Sequence, residues 1–164
     1  MYEILVKKDL TPTITMMEVS APRLAASAQP GQFLIVRTDE NGERVPLTVC
    51  DYDKERGSVT IVTQKVGASS KKICALEQGE SFQDVSGPLG RPSEFVGLSD
   101  EEIKQKRFIF IAGGLGTAPV YPQAKYLYSR GAKVDIIVGA KSADMLILEE
   151  EMSKVCDHLY ICTD

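Results

Sequence analysis

Between an apolar run and an amphipathic one, the chain reads Gly113-Gly114-Leu115-Gly116-Thr117-Ala118-Pro119. Glycines at such density let a backbone turn sharply and approach a flat or charged group with no Cβ in the way. If a strand ends at Ala112 and a helix starts near Ala118, the turn offers the unpaired N–H groups and positive dipole end of that helix. Those groups suit a phosphate or a polar ring. Pro119 falls in the first helical turn, where its missing N–H costs nothing. The spacing is Gly-x-Gly-x-x-Pro, which differs from the common Gly-x-Gly-x-x-Gly dinucleotide fingerprint and from a P-loop, where Gly-Lys-Ser/Thr must follow. The alternative is a ligand-free βα turn. The glycine density favours a binding turn for a dinucleotide, most simply a nicotinamide cofactor.

Two further turns carry glycine. Val66-Gly67-Ala68-Ser69-Ser70 precedes a short helical stretch, and its N–H groups and hydroxyls suit either a helix cap or a pyrophosphate. Gly87-Pro88-Leu89-Gly90 reads by itself as a turn. The four cysteines, Cys50, Cys74, Cys156 and Cys162, form no Cys-x-x-Cys pair, and His158 is the one histidine. A zinc or iron–sulfur site therefore lacks well-spaced ligands, and no metal site is expected. Buried thiols in a reducing compartment are the simpler reading.

The elements that would position these turns fall into two groups. Residues 2–8, 13–20, 32–38, 44–52, 58–64 and 80–86 read as six strands, with a helix at 69–76 inserted late. Asn41-Gly42, between two of these runs, predicts a tight hairpin. This pattern suggests a six-stranded antiparallel Greek-key barrel over residues 1–95. Residues 96–106 are expected to form a linker, with a helical turn at 99–105. The remainder, 107–164, reads βαβαβ: strands at 107–112, 133–138 and 158–162, helices at 118–129 and 143–155. That order implies a parallel sheet with right-handed crossovers. The continuous apolar run at 107–112 predicts a strand covered on both faces. Three parallel strands and two helices are half of a doubly wound, nucleotide-binding domain, so the 164 residues read as a C-terminally truncated piece of a longer chain.

Hydrophobic residues make up 43% of the chain, charged residues 26%, and the formal net charge is −4. No basic patch marks a nucleic-acid or anionic-membrane partner. No apolar run is long enough to span a bilayer, and the N-terminus lacks the apolar core of a secretory signal. A cytoplasmic protein is expected.

Four motifs in order, Pro30-Gly31-Gln32-Phe33, Arg44-Val45-Pro46-Leu47-Thr48, Gly87-Pro88-Leu89-Gly90-Arg91-Pro92 and the turn at 113–119, together resemble the ferredoxin–NADP reductase superfamily. The likeness covers essentially the whole chain. It is strongest to the electron-transfer subunits of dihydroorotate dehydrogenase and to the small subunits of NADH-dependent ferredoxin–NADP oxidoreductases, also called sulfide dehydrogenase small subunits. The resemblance implies FAD on the barrel. Thr48 would hydrogen-bond near the flavin N5 as the catalytic hydroxyl, Pro46 and Leu47 would line the isoalloxazine, and Arg44 would neutralise the pyrophosphate. Lys65, Gly67, Ser69 and Ser70 would complete the pyrophosphate site, with Gly87 beside the cofactor. Gly113, Gly114, Leu115, Gly116, Thr117 and Ala118 would carry NAD(H), with Gly139, Ala140, Lys141 and Ser142 bordering it. Asp164 would read the ribose and favour NAD over NADP. Arg44 stands four residues before Thr48, where the wider superfamily has three.

The resemblance also implies a larger oxidoreductase partner subunit and a ferredoxin-type carrier as a candidate acceptor. A [2Fe-2S] cluster is expected only in a longer parent chain, since Cys156 and Cys162 lie upstream of its motif. The leading function is a flavoprotein electron-transfer subunit. The competing readings are a flavin or nucleotide sensor without turnover and a structural subunit with vestigial sites.

Overall fold

The computed structural model describes residues 2–164. Its first layer is an antiparallel sheet built from β1 (Tyr2–Thr11), β2 (Ile14–Ser20), β3 (Phe33–Arg37), β4 (Val45–Asp53), β5 (Ser58–Gln64), β6 (Ser81–Phe82) and β7 (Asp84–Leu89). The strand order is β6-β1-β2-β5-β4-β3-β7, so β2 pairs with β5 in the manner of a Greek key. The seven segments correspond to the six strands expected, because β6 and β7 are one strand interrupted at Gln83. One half pairs with β1 and the other with β3, which draws the two sheet edges together into a near-barrel. At the break, Gln83 N–H donates to Arg37 O at 3.0 Å.

Inside the barrel, Ile4, Met17, Leu34, Ile61 and Phe82 are almost fully buried. Helix α1 (Pro22–Ser27) closes one side with Leu24 and Ala25. It is absent from the sequence reading, because six residues are too short for a helical period; Pro22 at its start was the available signal. Helix α2 (Ala68–Ala75) buries Ile73 and Cys74.

The Asn-Gly hairpin is looser than expected. Residues 38–44 form the loop, and Gly42 is not left-handed. Asp39 organises it instead, its carboxylate accepting Asn41 N–H at 3.0 Å and its carbonyl accepting Gly42 N–H at 3.0 Å. A side chain that mimics a turn has replaced the two-residue connection.

The first motif behind the resemblance packs against Ser93, the residue just after the third. Gly31 has φ +89°, and a Cβ there would lie 2.5 Å from Ser93 Oγ. Ser93 N–H donates to Pro30 O at 2.9 Å, so the two segments meet only because residue 31 is glycine.

The second layer is a parallel sheet of β8 (Arg107–Gly113), β9 (Lys133–Ala140) and β10 (His158–Thr163), in the order β10-β9-β8. Helices α3 (Asp100–Lys104), α4 (Thr117–Ser129) and α5 (Glu149–Ser153) accompany it. The stretch expected as a linker is packed rather than free. Ile103 is fully buried, and Phe95 meets Phe108 edge-on at 6.0 Å and Tyr126 at 5.8 Å. The helix expected over 143–155 is broken into a 3-10 turn (Ala143–Met145) and α5. Leu148, at φ 58°, is the hinge between them. That left-handed residue costs about 1–2 kcal/mol, offset by burying Ile147, Leu148 and Met152 together.

One expectation fails outright. β8 is covered on one face only: Phe108 and Phe110 pack inward, while Ile109 and Ile111 are 63% and 76% exposed. Both crossovers run the same way along the sheet, so their helices lie on the same side. On the uncovered face one carboxylate bridges three strands. Asp135 on β9 accepts from Arg107 Nε at 2.8 Å and from His158 Nδ1 at 2.8 Å.

The hydrogen bond from His158, then that from Arg107, holds the Asp135 carboxyl below the usual carboxylate range. A depressed native value contributes stability above the unfolded-state value, and that stability is lost as pH falls through the native one. Asp135→Asn should therefore lower the urea midpoint at pH 7 and reduce the acid-side slope of stability. Midpoints measured from pH 7 to pH 3 test this, and parallel curves for variant and wild type would refute it.

Candidate functional site

β8 ends at Gly113, a 3-10 turn covers Gly114–Gly116, and α4 starts at Thr117. Gly114 alone of the three glycines is left-handed, at φ +51°. Gly113 (φ −125°) and Gly116 (φ −61°) have conformations open to any residue. A Cβ on Gly113, Gly114 or Gly116 would meet no atom within 4 Å. At Gly113 and Gly116, then, neither backbone nor internal packing demands glycine.

The space opens into a cleft of about 580 Å³ at the C-terminal ends of the parallel strands. Gly113, Gly114, Leu115, Gly139 and Asp164 all line it. Gly116, Thr117 and Ala118 do not; Thr117 and Ala118 are buried behind the turn, Ala118 in the core under α4. Thr117 Oγ1 is buried with no hydrogen-bond partner. The sequence reading included Ala140 and Lys141 as a border of this region and missed Ile14, Gln64, Met145, Cys162 and Thr163, which also line the cleft. Cys162 and Thr163 follow from the rule that ligands sit at the carboxyl ends of parallel strands. Ile14 and Gln64 come from the barrel, and no local pattern marks them.

Strand β4 carries the second group. Val45, Leu47 and Val49 pack against the barrel core, so by the two-residue period Pro46 and Thr48 face outward. Leu47 therefore offers the outer face only its backbone. After Val49 the register with β5 slips, from Val49↔Ile61 to Asp51↔Thr60. The extra residue, Cys50, is buried in the core shared with α4. Arg44, just before the strand, donates from Nη1 to Asp84 Oδ2 at 3.1 Å. Between them in the sheet lies Arg37, whose Nε is buried and without a partner.

The start of α2 gathers the third group. Gly67 is extended, at φ −139°, and a Cβ there would meet nothing within 4 Å. Ser70 Oγ accepts the N–H groups of Val66 and Gly67 at 3.0 and 2.9 Å, so the capping reading of this serine holds. Ser69 Oγ donates to the Glu43 carboxylate. Lys65 points away, its Nζ donating to Pro12 O at 3.3 Å. Gly87 is set apart from all three groups: a Cβ on it would lie 3.1 Å from Leu34 Cβ and 3.2 Å from Leu24 Cδ2. Its glycine is required by barrel packing.

Helix α4 and strand β4 are fastened together. Lys125 Nζ donates to both carboxylate oxygens of Asp51, at 2.8 and 2.9 Å. Burial pushes the Cys50 thiol far above its ordinary range, leaving it protonated and inert. Burial, then the Asp51 charge, pushes the Tyr121 phenol up to about 12. Neither group is set up as an acid or base near neutral pH. Among the described residues, no group of three or more His, Cys, Asp and Glu is placed to hold a metal ion. No helix among them is long and apolar enough to cross a membrane.

No family model matches the chain. It is 52% identical over 164 residues to an uncharacterized protein in the adh 3′ region of Clostridium beijerinckii, covering all of this chain and 55% of that one. It is 33% identical over 162 residues to a Thermotoga maritima homolog of the electron transfer subunit of dihydroorotate dehydrogenase B (NAD(+)), covering 99% and 55%. The solved structure of an NADH-dependent reduced ferredoxin–NADP oxidoreductase, described for flavin-based electron bifurcation, superposes with a TM-score of 0.87 at 33% identity, covering 98% of this chain and 56% of that one. The chain thus spans about half the length of the relatives it matches.

An unpaired buried hydroxyl destabilises a ligand-free chain. Thr117→Val keeps the shape and removes it, and should leave stability unchanged or raise it by about 1 kcal/mol. Urea unfolding of the ligand-free chain checks this; a loss of stability would show that the hydroxyl has a partner after all.

Proposed function

Because the chain belongs to the ferredoxin–NADP reductase superfamily, we propose that it is the cofactor-binding part of a flavoprotein electron-transfer subunit working between NAD(H) and FAD. The observation that carries this reading is the cleft lined by Gly113, Gly114, Leu115, Gly139 and Asp164, where Gly113 is not left-handed and a Cβ on it would meet nothing within 4 Å. A side chain would fit at Gly113 in the chain alone, which supports a ligand approaching the backbone there. The residues also fit the two cofactors chemically. Arg37 Nε and Thr117 Oγ1 are buried donors without partners beside the two regions. Asp164 in the cleft supports NAD over NADP.

Flavin, once bound, supplies the exchange between two-electron nicotinamide chemistry and one-electron release. The chain's part is to hold and orient. Pro46 and Thr48 make the bed for the flavin ring, and the Thr48 hydroxyl provides the hydrogen bond at N5. Arg44, Gly67 and Ser69 receive the diphosphate. Gly113, Gly114 and Leu115 bring the nicotinamide nucleotide to the same side of the barrel, bordered by Gly139. The lack of a side-chain acid or base at the turn is no obstacle, since such a transfer needs none. Onward delivery to a larger partner subunit or a ferredoxin-type carrier, through a [2Fe-2S] cluster of a longer parent chain, belongs to the same proposal.

The purified chain should take up FAD and show flavin absorbance. Gly67→Glu, which places a charged side chain in the empty space, should abolish uptake while circular dichroism stays that of the wild type. Flavin occupancy equal to wild type in that variant would sink the reading. Anaerobic NADH should then bleach the flavin of the full-length protein; a flavin that stays oxidised would favour a sensor.

A further inference from the structure

The groups that would receive the flavin diphosphate are already engaged by carboxylates. Ser69, in the first turn of α2, donates its hydroxyl to Glu43. Arg44, the next residue along the loop, donates to Asp84 at 3.1 Å. Asp84 also accepts from Ser86 Oγ at 3.4 Å, so it is held in place independently of the arginine. Glu43 and Ser69 both line a cavity of about 200 Å³ between the 38–44 loop and α2. Arg44 and Asp84 are both partly exposed, with side-chain exposures of 55% and 32%, so the pair has little desolvation to hold it closed. Beside it, Arg37 Nε has no partner at all.

A carboxylate at the start of a helix and another on a guanidinium sit where a phosphate anion would sit, and satisfy the same donors. We propose that Glu43 and Asp84 are internal stand-ins for the flavin diphosphate, occupying Ser69 and Arg44 until the cofactor displaces them, and that these two residues set the affinity of the site. The inference rests on the flavin reading above. It assigns Glu43 and Asp84 a competing role, with Arg44 and Ser69 changing partners when flavin enters. Because residues 43 and 44 are neighbours, one movement of the loop releases both donors. Each carboxylate also repels the diphosphate directly, adding to the cost of entry.

The test is a fluorescence titration of the flavin-free chain with FAD, and separately with riboflavin, which has no phosphate. Glu43→Gln keeps an acceptor for Ser69 and removes the charge; Glu43→Ala frees the hydroxyl as well. Glu43→Gln and Asp84→Asn should each bind FAD about threefold to tenfold tighter, and Glu43→Ala at least as tightly as Glu43→Gln. Arg44→Ala should bind FAD more weakly. Riboflavin affinity should be the same in all of them. A wild-type chain that binds no flavin overturns the functional proposal itself. A wild type that binds FAD, with both carboxylate variants unchanged or weaker, overturns the competition alone. Equal gains for FAD and riboflavin overturn it too, since the diphosphate would then not be what is sensed.

Discussion

Both candidate regions take their positions from helix α4 lying against strand β4. The strand bulges at Cys50, which turns that side chain out of the barrel and into the core beneath the helix. One residue later Asp51 grips Lys125. The same strand begins with the outward-facing Pro46 and Thr48, and the same helix begins at the glycine turn. A rigid contact in the middle therefore fixes the separation of two ends. Burial of Cys50 adds to the cohesion, while an ion pair this exposed contributes little.

The barrel and the parallel sheet share one core, which is why the chain behaves as more than two tethered units. Ile14, Cys50 and Val62 from the barrel pack with Leu127, Ile136 and Met152 from the sheet and helices. The packed stretch through Phe95 and Ile103 tightens the same joint. The cleft borrows Ile14 and Gln64 from the barrel, so its shape depends on that joint as much as on the glycine turn.

The sequence was readable wherever a signal was local and periodic. The apolar run at 107–112, the glycine turn and the alternating strands each announced themselves within ten residues. Two of the four motifs behind the family likeness have clear structural duties, as Gly31 against Ser93 and Gly87 against Leu34 show. What could not be read depended on contacts distant in the chain. Nothing local says that Ser69 meets Glu43 or that Lys65 turns to Pro12, whereas the inward turn of Leu47 follows the two-residue period it shares with Val45 and Val49. Helix α1 was too short to show a period, and the break at Leu148 answers to burial of Ile147 and Met152, which only the fold brings together. The Asn-Gly pair misled for a related reason: Asp39 offered the backbone a competing turn.

The open side of the parallel sheet has a further meaning. Among the described residues β8 stands at the edge of the parallel sheet, with Ile109 and Ile111 bare beside it. Backbone hydrogen bonding is indifferent to sequence, and an apolar face is indifferent to direction. Such an edge is a template on which a further strand can add. Asp135, held by Arg107 and His158, is the polar patch at one end of that bare face.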